Sequence, residues 1–126
     1  MTFTKACFKD MGYCLWVSSD DEIDKITAIS GSGVAYIFYF MEAFAQAAES
    51  LGFSHETALH LALSTFGGAS TFAEKSPKSP HQLREDVTSP QGTTSAALNV
   101  LETGELYTLL ERAMKAAYAR AKELGE

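Results

Sequence analysis

Hydrophobic residues recur along most of this chain at the spacing of α-helices, and helix start and stop signals bracket them. Ser19, Ser54 and Ser79 each precede such a segment and are good N-caps. Gly52 and Gly104 stand where helices commonly end. The pattern therefore predicts helices that begin after Ser19, at about Gly33, after Ser54, at Pro80, at Gly92 or Thr93, and at about Glu105. The second is expected to end at Leu51, the fourth at Val87, the fifth at Gly104 and the last at Leu124.

The second of these helices, over residues 33–51, is apolar on nearly every side. Glu42, Gln46 and Glu49 form its one thin polar stripe. A helix with this pattern must be covered on nearly every side, and a chain of 126 residues can hardly cover it alone. The pattern therefore predicts a partner subunit.

Residues 12–17, "GYCLWV", are short, aromatic and β-branched, which predicts a strand. A single strand in a helical domain has nothing to pair with its backbone groups. Such a strand either pairs across a dimer or belongs to a sheet that this chain lacks.

Composition narrows the classes of function. Apolar residues make up 46% of the chain, and the net charge of −6 leaves no basic surface, so nucleic acid is not expected as a partner. Cys7 and Cys14 have neither CxxC spacing nor a His pair nearby, so no metal site is expected. The longest uninterrupted apolar run, residues 34–41, is too short to span a bilayer, so no membrane is expected either. A reducing, cytoplasmic compartment is the expectation.

Two stretches interrupt the helical pattern with hydroxyls and glycines: residues 27–33, "TAISGSG", and residues 86–98, "DVTSPQGTTSAAL". Each lies just ahead of a predicted helix, whose first N–H groups have no partner within the helix and carry partial positive charge. Glycine permits close backbone approach and hydroxyls add donors, so the combination can receive a carboxylate or phosphate. A simple capped turn explains either stretch equally well, and no GK[ST] follows to complete a phosphate loop.

Conventional catalytic groups do not suggest another site. His55, His60 and His81 are all expected on helix surfaces in contact with solvent. The residues by themselves therefore predict an all-helical, dimeric domain with a candidate uncharged pocket for a carboxylate.

Taken together, the stretches resemble the C-terminal domain of pyrroline-5-carboxylate reductase. The resemblance rests on "EIDKITAISGSGVAY" over residues 22–36 and "LREDVTSPQGTTSAALNVLE" over residues 83–102, with "FKDMGYCLWV" over residues 8–17 ahead of them. It implies an all-α fold, an interleaved helical dimerisation domain like the C-terminal domain of 6-phosphogluconate dehydrogenase, over residues 19–126. Residues 1–18 would be the remnant helix and strand that end a Rossmann dinucleotide-binding domain.

The resemblance also implies an activity. That enzyme passes a hydride from NADPH or NADH to the C=N bond of 1-pyrroline-5-carboxylate and so makes L-proline. It works as a homodimer or higher oligomer, and it holds its nucleotide mainly on the Rossmann domain. No G-x-G-x-x-G precedes the helices here, so this chain is expected to bind no nucleotide tightly and to be inactive alone.

Site residues follow by matching positions. Ser89, Gly92, Thr93 and Thr94 would bind the substrate carboxylate through hydroxyl and backbone N–H groups. Thr27 and Ser30 would lie near the imine and the nicotinamide, where a hydroxyl or a bound water assists protonation of the ring nitrogen.

Two positions depart from the family pattern, and two other functions stay open. Val34 replaces a usual Pro and Gln91 a usual Gly, which Gln would strain if that position needs a positive φ. One alternative is a non-enzymatic helical dimerisation module derived from the family. The other is a related imine or oxidoreductase specificity within the same fold.

Overall fold

The computed structural model describes residues 12–125, which form six α-helices and one π-helical turn. The predicted helix limits agree with the observed ones to within one or two residues. The elements are α1 (Asp20–Ile26), the π turn (Thr27–Gly31), α2 (Gly33–Ser50), α3 (His55–Lys75), α4 (Pro80–Asp86), α5 (Thr93–Thr103) and α6 (Leu106–Gly125).

Three serine caps account for where the helices begin. The hydroxyls of Ser19, Ser54 and Ser79 each accept a hydrogen bond from a backbone N–H in the first turn, as predicted. Gln82 completes a capping box with Ser79 by accepting from its N–H at 2.9 Å. Gly52, with φ +103, ends α2 in a conformation that favours glycine.

The helices pack in two groups. α2 lies along α3 as a helical hairpin, and α6 packs against α1, the π turn and α5. The buried centre of the hairpin is small: it consists of Ala45, Ala58 and Ala62. Beside it the rings of Phe44 and Phe66 meet edge to face at 5.7 Å.

Much of the apolar surface remains uncovered. The chain exposes 10223 Å², whereas a compact monomer of 13.6 kDa is expected to expose about 6,600 Å². Large side chains on α2 and α6 stand in solvent, Phe38 at 63%, Tyr39 at 69% and Leu109 at 58% exposed. Surface of this kind is typical of a protein whose core is completed by another subunit.

The strand predicted over residues 12–17 pairs with no other strand in the described residues and stays a prediction. Residues 13–17 adopt no regular structure, and Tyr13 is 92% exposed. A strand needs a neighbour for its N–H and C=O groups, and the described residues supply none. The helix predicted just before it lies outside residues 12–125.

One helical run in the described chain, Asp20–Ser50, is long and apolar enough to cross a membrane by length and composition. The core helix of a soluble protein passes the same test, so this finding is weak evidence for a membrane span. The run is also broken by the π turn, and its α2 portion packs along α3.

Candidate functional site

A tight turn joins α4 to α5 and contains the residues predicted to bind a carboxylate. The N–H of Gly92 donates to the carbonyl of Ser89 at 3.1 Å, which closes a four-residue turn with Pro90 and Gln91 at its centre. Gln91 has φ +59, in the left-handed region. Proline followed by a residue of positive φ is the pattern of a type II turn, which usually takes glycine at the third position. Gln91 therefore adopts the conformation that the sequence suggested would strain it.

Gly92 lies against the hydroxyl of Ser89. A β-carbon at position 92 would stand less than 3.0 Å from Ser89 Oγ and 3.3 Å from the Ser89 carbonyl. Any larger residue would displace that hydroxyl or the backbone. Glycine is therefore required here to keep Ser89 Oγ beside the start of α5.

The N-terminus of α5 has no side-chain cap among the described residues. Gly92 is extended (φ −84, ψ −178), and the first helical bond runs from the N–H of Ala96 to the Gly92 carbonyl at 3.1 Å. The N–H groups of Thr93, Thr94 and Ser95 thus have no acceptor within the helix. Within residues 12–125 the hydroxyls of Ser89, Thr93 and Thr94 also make no hydrogen bond. The turn can therefore offer several donors to an anion without any charged residue.

Neighbouring interactions hold this turn in place. Thr88 Oγ1 donates to the Arg84 carbonyl at 2.5 Å, which ties the start of the turn back to α4. Lys78 Nζ pairs with Asp86 at 2.5 Å, and Arg84 Nη1 donates to the hydroxyl of Tyr107 at 2.9 Å. Lys78 is thus paired with a carboxylate, whereas Arg84 bonds only to a neutral hydroxyl and keeps its charge.

The other hydroxyl stretch is not the free helix start that the sequence suggested. Ser32 is helical (φ −85, ψ −25), and its N–H donates to the Thr27 carbonyl at 2.7 Å, five residues back. The backbone therefore stays helical from α1 through the π turn into α2, and no extended cap residue separates the two helices. No extended cap forms because the Ser32 N–H already donates to a carbonyl within the helix. A backbone anion receptor at residues 27–33 therefore could not use the Ser32 N–H.

The side chains of Thr27 and Ser30 remain exposed on this π turn. Thr27 Oγ1 donates to the Ile23 carbonyl at 2.9 Å, and Ser30 Oγ donates to the Ile26 carbonyl at 3.2 Å. Each hydroxyl proton is thus already donated in a hydrogen bond to a helix carbonyl, while each hydroxyl oxygen can still accept a hydrogen bond. Either hydroxyl is therefore better placed to accept a hydrogen bond from a donor such as a water molecule than to donate a proton.

In the described part of the chain, the hydroxyl residues of the π turn and those of the turn before α5 are not joined by a direct hydrogen bond. No hydrogen bond within residues 12–125 joins Thr27 or Ser30 to the turn at residues 89–92. α6 is the element that packs extensively against both the π turn and α5. The relative placement of the two groups therefore depends on α6.

One cluster that fixes α6 was missed from the sequence. Tyr118 on α6 donates its hydroxyl to Asp21 on α1, and Lys25 Nζ lies 2.6 Å from the same carboxylate. The hydrogen bond from Lys25, then that from Tyr118, lowers the pKa of Asp21 to about 2. Because 97 positions separate the tyrosine from the aspartate, no local pattern could have indicated this contact.

The histidines lie at the surface, as predicted. His55 Nδ1 contacts Glu49 at 2.6 Å, and His81 Nδ1 lies 3.6 Å from Glu85. His60 is exposed on α3. Over residues 12–125, no three His, Cys, Asp or Glu side chains are grouped so that they could hold a metal ion.

The described residues contain no Rossmann-type dinucleotide site. Such cofactors bind at the carboxyl ends of parallel strands, with the pyrophosphate at a glycine-rich turn. Residues 12–125 contain no strand, and the run Gly31-Ser32-Gly33 enters a helix through the π turn instead of following a strand.

Comparisons by sequence and by structure match this chain to the same protein family. The family model described as pyrroline-5-carboxylate reductase dimerisation matches residues 20–124. The pyrroline-5-carboxylate reductase of Pseudomonas aeruginosa is 45% identical over 116 residues, which is 92% of this chain and 42% of that protein. The chain thus spans about two fifths of the length of the curated relatives it matches.

Solved structures give the same match at the level of the fold. A pyrroline-5-carboxylate reductase from Coxiella burnetii superposes with a TM-score of 0.91 at 49% identity, over 98% of this chain and 46% of that one. The pyrroline carboxylate reductase of Plasmodium falciparum, solved with NADP bound, superposes with a TM-score of 0.86 at 30% identity, over 99% of this chain and 47% of that one.

Proposed function

This chain belongs to the pyrroline-5-carboxylate reductase family, whose dimerisation region it contains, and we propose that it supplies the homodimer interface and the substrate carboxylate site of such a reductase. The reaction is reduction of the C=N bond of 1-pyrroline-5-carboxylate by a hydride from NADPH or NADH, with a proton added at nitrogen, to give L-proline. Residues 19–126 form the helical domain in this proposal, and residues 1–18 end a dinucleotide-binding domain.

The observation that carries the carboxylate site is the uncapped start of α5. The N–H groups of Thr93 and Thr94 and the hydroxyl of Ser89 converge there without internal acceptors, and Gly92 leaves the space that this requires. A carboxylate at this place accepts hydrogen bonds from neutral donors and gains from the positive end of the helix dipole. Ser89, Gly92, Thr93 and Thr94 are therefore proposed as the substrate-binding residues.

Thr27 and Ser30 have a different proposed role. Because their hydroxyl protons already bond to helix carbonyls, each oxygen is available to accept from a water or from the substrate nitrogen once that is protonated. Hydride chemistry belongs to the nicotinamide, so the protein's contribution is positioning.

The nucleotide is not assigned to residues 12–125. Without a sheet, these residues alone are expected to show no turnover of 1-pyrroline-5-carboxylate with NADPH or NADH. The compartment proposed for the reaction is the cytoplasm.

The site is tested by titrating the isotopically labelled chain with L-proline, the proposed product, and following its backbone amide resonances. We expect shifts at Thr93, Thr94 and Ser95, with the amides of α3 unmoved. Acetate serves as the control ligand: it shares the carboxylate but lacks the ring, and should bind more weakly. Absence of any shift at the start of α5 would contradict the site and favour a dimerisation module that binds no substrate.

A further inference from the structure

Tyr36 on α2 reaches back to the π turn that bears Thr27 and Ser30. Its hydroxyl donates to the carbonyl of Ala28 at 3.0 Å, eight residues earlier in the chain. Ala28 is only 2% exposed and lies inside the π turn Thr27–Gly31. Tyr36 itself is half-buried. The contact is therefore partly shielded from solvent, where a lost hydrogen bond costs more.

Tyr36 supplies a donor that the π turn has removed. In an α-helix the N–H of Ser32 would donate to the Ala28 carbonyl, four residues back. Here that N–H donates to Thr27 instead, at 2.7 Å. The Ala28 carbonyl thus loses its α-helical donor, and the Tyr36 hydroxyl compensates for it.

The π register of residues 27–31 is an uncommon backbone arrangement. π turns are rare and are found mostly as single turns at functional sites, so something must favour one over the α-helical alternative. α6 packs against the π turn from one direction, and Tyr36 bonds to it from α2. The α-helical register would restore the Ser32–Ala28 bond, and the Ala28 carbonyl would then no longer depend on the Tyr36 hydroxyl for a donor.

We propose that Tyr36 is a positioning residue whose hydroxyl holds the π register of residues 27–31 and thereby sets the positions of Thr27 and Ser30 for the ligand. The part concerning the ligand rests on the proposed function, whereas the part concerning the register does not. Tyr36 acts through the backbone and has no direct contact with the substrate in this proposal.

The register is tested by NMR couplings across hydrogen bonds in the full chain, which show whether the Ser32 N–H bonds to the Thr27 or to the Ala28 carbonyl. Tyr36→Phe removes only the hydroxyl, and we expect the Ser32 coupling to the Thr27 carbonyl carbon to be lost and one to the Ala28 carbonyl carbon to appear, because the Ala28 carbonyl then has no other donor. The coupling from the Ala62 amide within α3 should not change. Tyr39→Phe is the matched control, since Tyr39 lies on the same helix and makes no hydrogen bond among the described residues. A wild-type Ser32–Thr27 coupling in Tyr36→Phe would overturn the proposal.

The positioning role is tested by L-proline titration of the same variants. Wild type and Tyr39→Phe should show shifts at Thr27 and Ser30 as well as at Thr93 and Thr94. Tyr36→Phe should lose the response at Thr27 and Ser30 and keep it at α5. A wild-type response at Thr27 and Ser30 in Tyr36→Phe would overturn positioning. If wild type fails to respond at α5, the proposed function fails, while the coupling from the Ser32 amide still decides whether Tyr36 holds the register.

Discussion

The hydroxyl of Ser89 occupies the space that a side chain at Gly92 would need, because a β-carbon at position 92 would lie less than 3.0 Å from Ser89 Oγ. The two residues also share a backbone hydrogen bond of 3.1 Å. One glycine thus permits both a closed turn and a hydroxyl at the mouth of α5.

Gly92→Ala is expected to weaken L-proline binding more than it weakens the fold. The added methyl group must displace Ser89 Oγ or the turn, at a cost of about 1–3 kcal/mol for overpacking. Isothermal titration and chemical unfolding measure the two effects. Gly67→Ala is the control, since a β-carbon there meets nothing within 4 Å, and it should bind L-proline normally. Wild-type affinity in Gly92→Ala would contradict the assignment of this turn.

Thr93→Ala and Thr94→Ala should each weaken carboxylate binding about tenfold, because a hydrogen bond to a charged group contributes about 1.5 kcal/mol. Thr103→Ala at the other end of α5 is the matched control. Its hydroxyl donates to the Asn99 carbonyl at 2.8 Å and faces no proposed ligand. Equal losses in all three variants would mean that helix stability, and not ligand contact, was measured.

Gln91→Gly is expected to raise the free energy of unfolding by about 1 kcal/mol, the cost that a non-glycine residue bears in the left-handed region. Gln91 has φ +59. Glu105→Gly offers a matched second site, because Glu105 has φ +55 at the junction of α5 and α6. Urea unfolding of both variants checks the sign. Destabilisation at both positions would show that loss of chain entropy outweighs relief of strain.

The Asp21 cluster should make the fold sensitive to acid. The pKa of Asp21 is lowered to about 2, mainly by Lys25 and then by Tyr118, while its unfolded value is 3.8. The stabilisation is therefore fully present above pH 3.8 and is lost as the pH falls through about 2. Thermal unfolding from pH 6 to pH 2 should show the difference between wild type and Asp21→Asn shrinking over that window. Asp24→Asn, on the same helix, is the control, since the Asp24 carboxylate makes no hydrogen bond or ion pair among the described residues.

Leu109→Glu is expected to convert dimer to monomer. Leu109 lines an apolar cavity of about 320 Å³ between α2 and α6, together with Tyr39 and Phe40, and burying a carboxylate there is costly. Lys115→Glu places the same carboxylate at an exposed position on α6, beside Glu111, and should leave the dimer intact. Sedimentation equilibrium distinguishes the two outcomes. A monomeric wild-type chain would contradict the proposed interface.

The sequence by itself determined where the helices begin and end. Ser19, Ser54 and Ser79 cap them, and Gly52 ends α2, because each of these signals acts within one helical turn. The conformation required at Gln91 was likewise foreseeable, since a turn of four residues sets its own backbone angles.

Only the tertiary structure decided what depends on distant partners. The strand predicted at residues 12–17 depends on a partner outside the described residues, because pairing is not a local property. In the π turn the Ser32 N–H bonds to the carbonyl five residues back instead of four, and Tyr36 bonds to the carbonyl that is left. The spacing of residue types along the sequence does not indicate which carbonyl is used. The tie between Asp21 and Tyr118 spans 97 positions. Local hydrogen bonds thus set the helix ends, whereas contacts between helices hold the π turn and the positions of Thr27 and Ser30 on it.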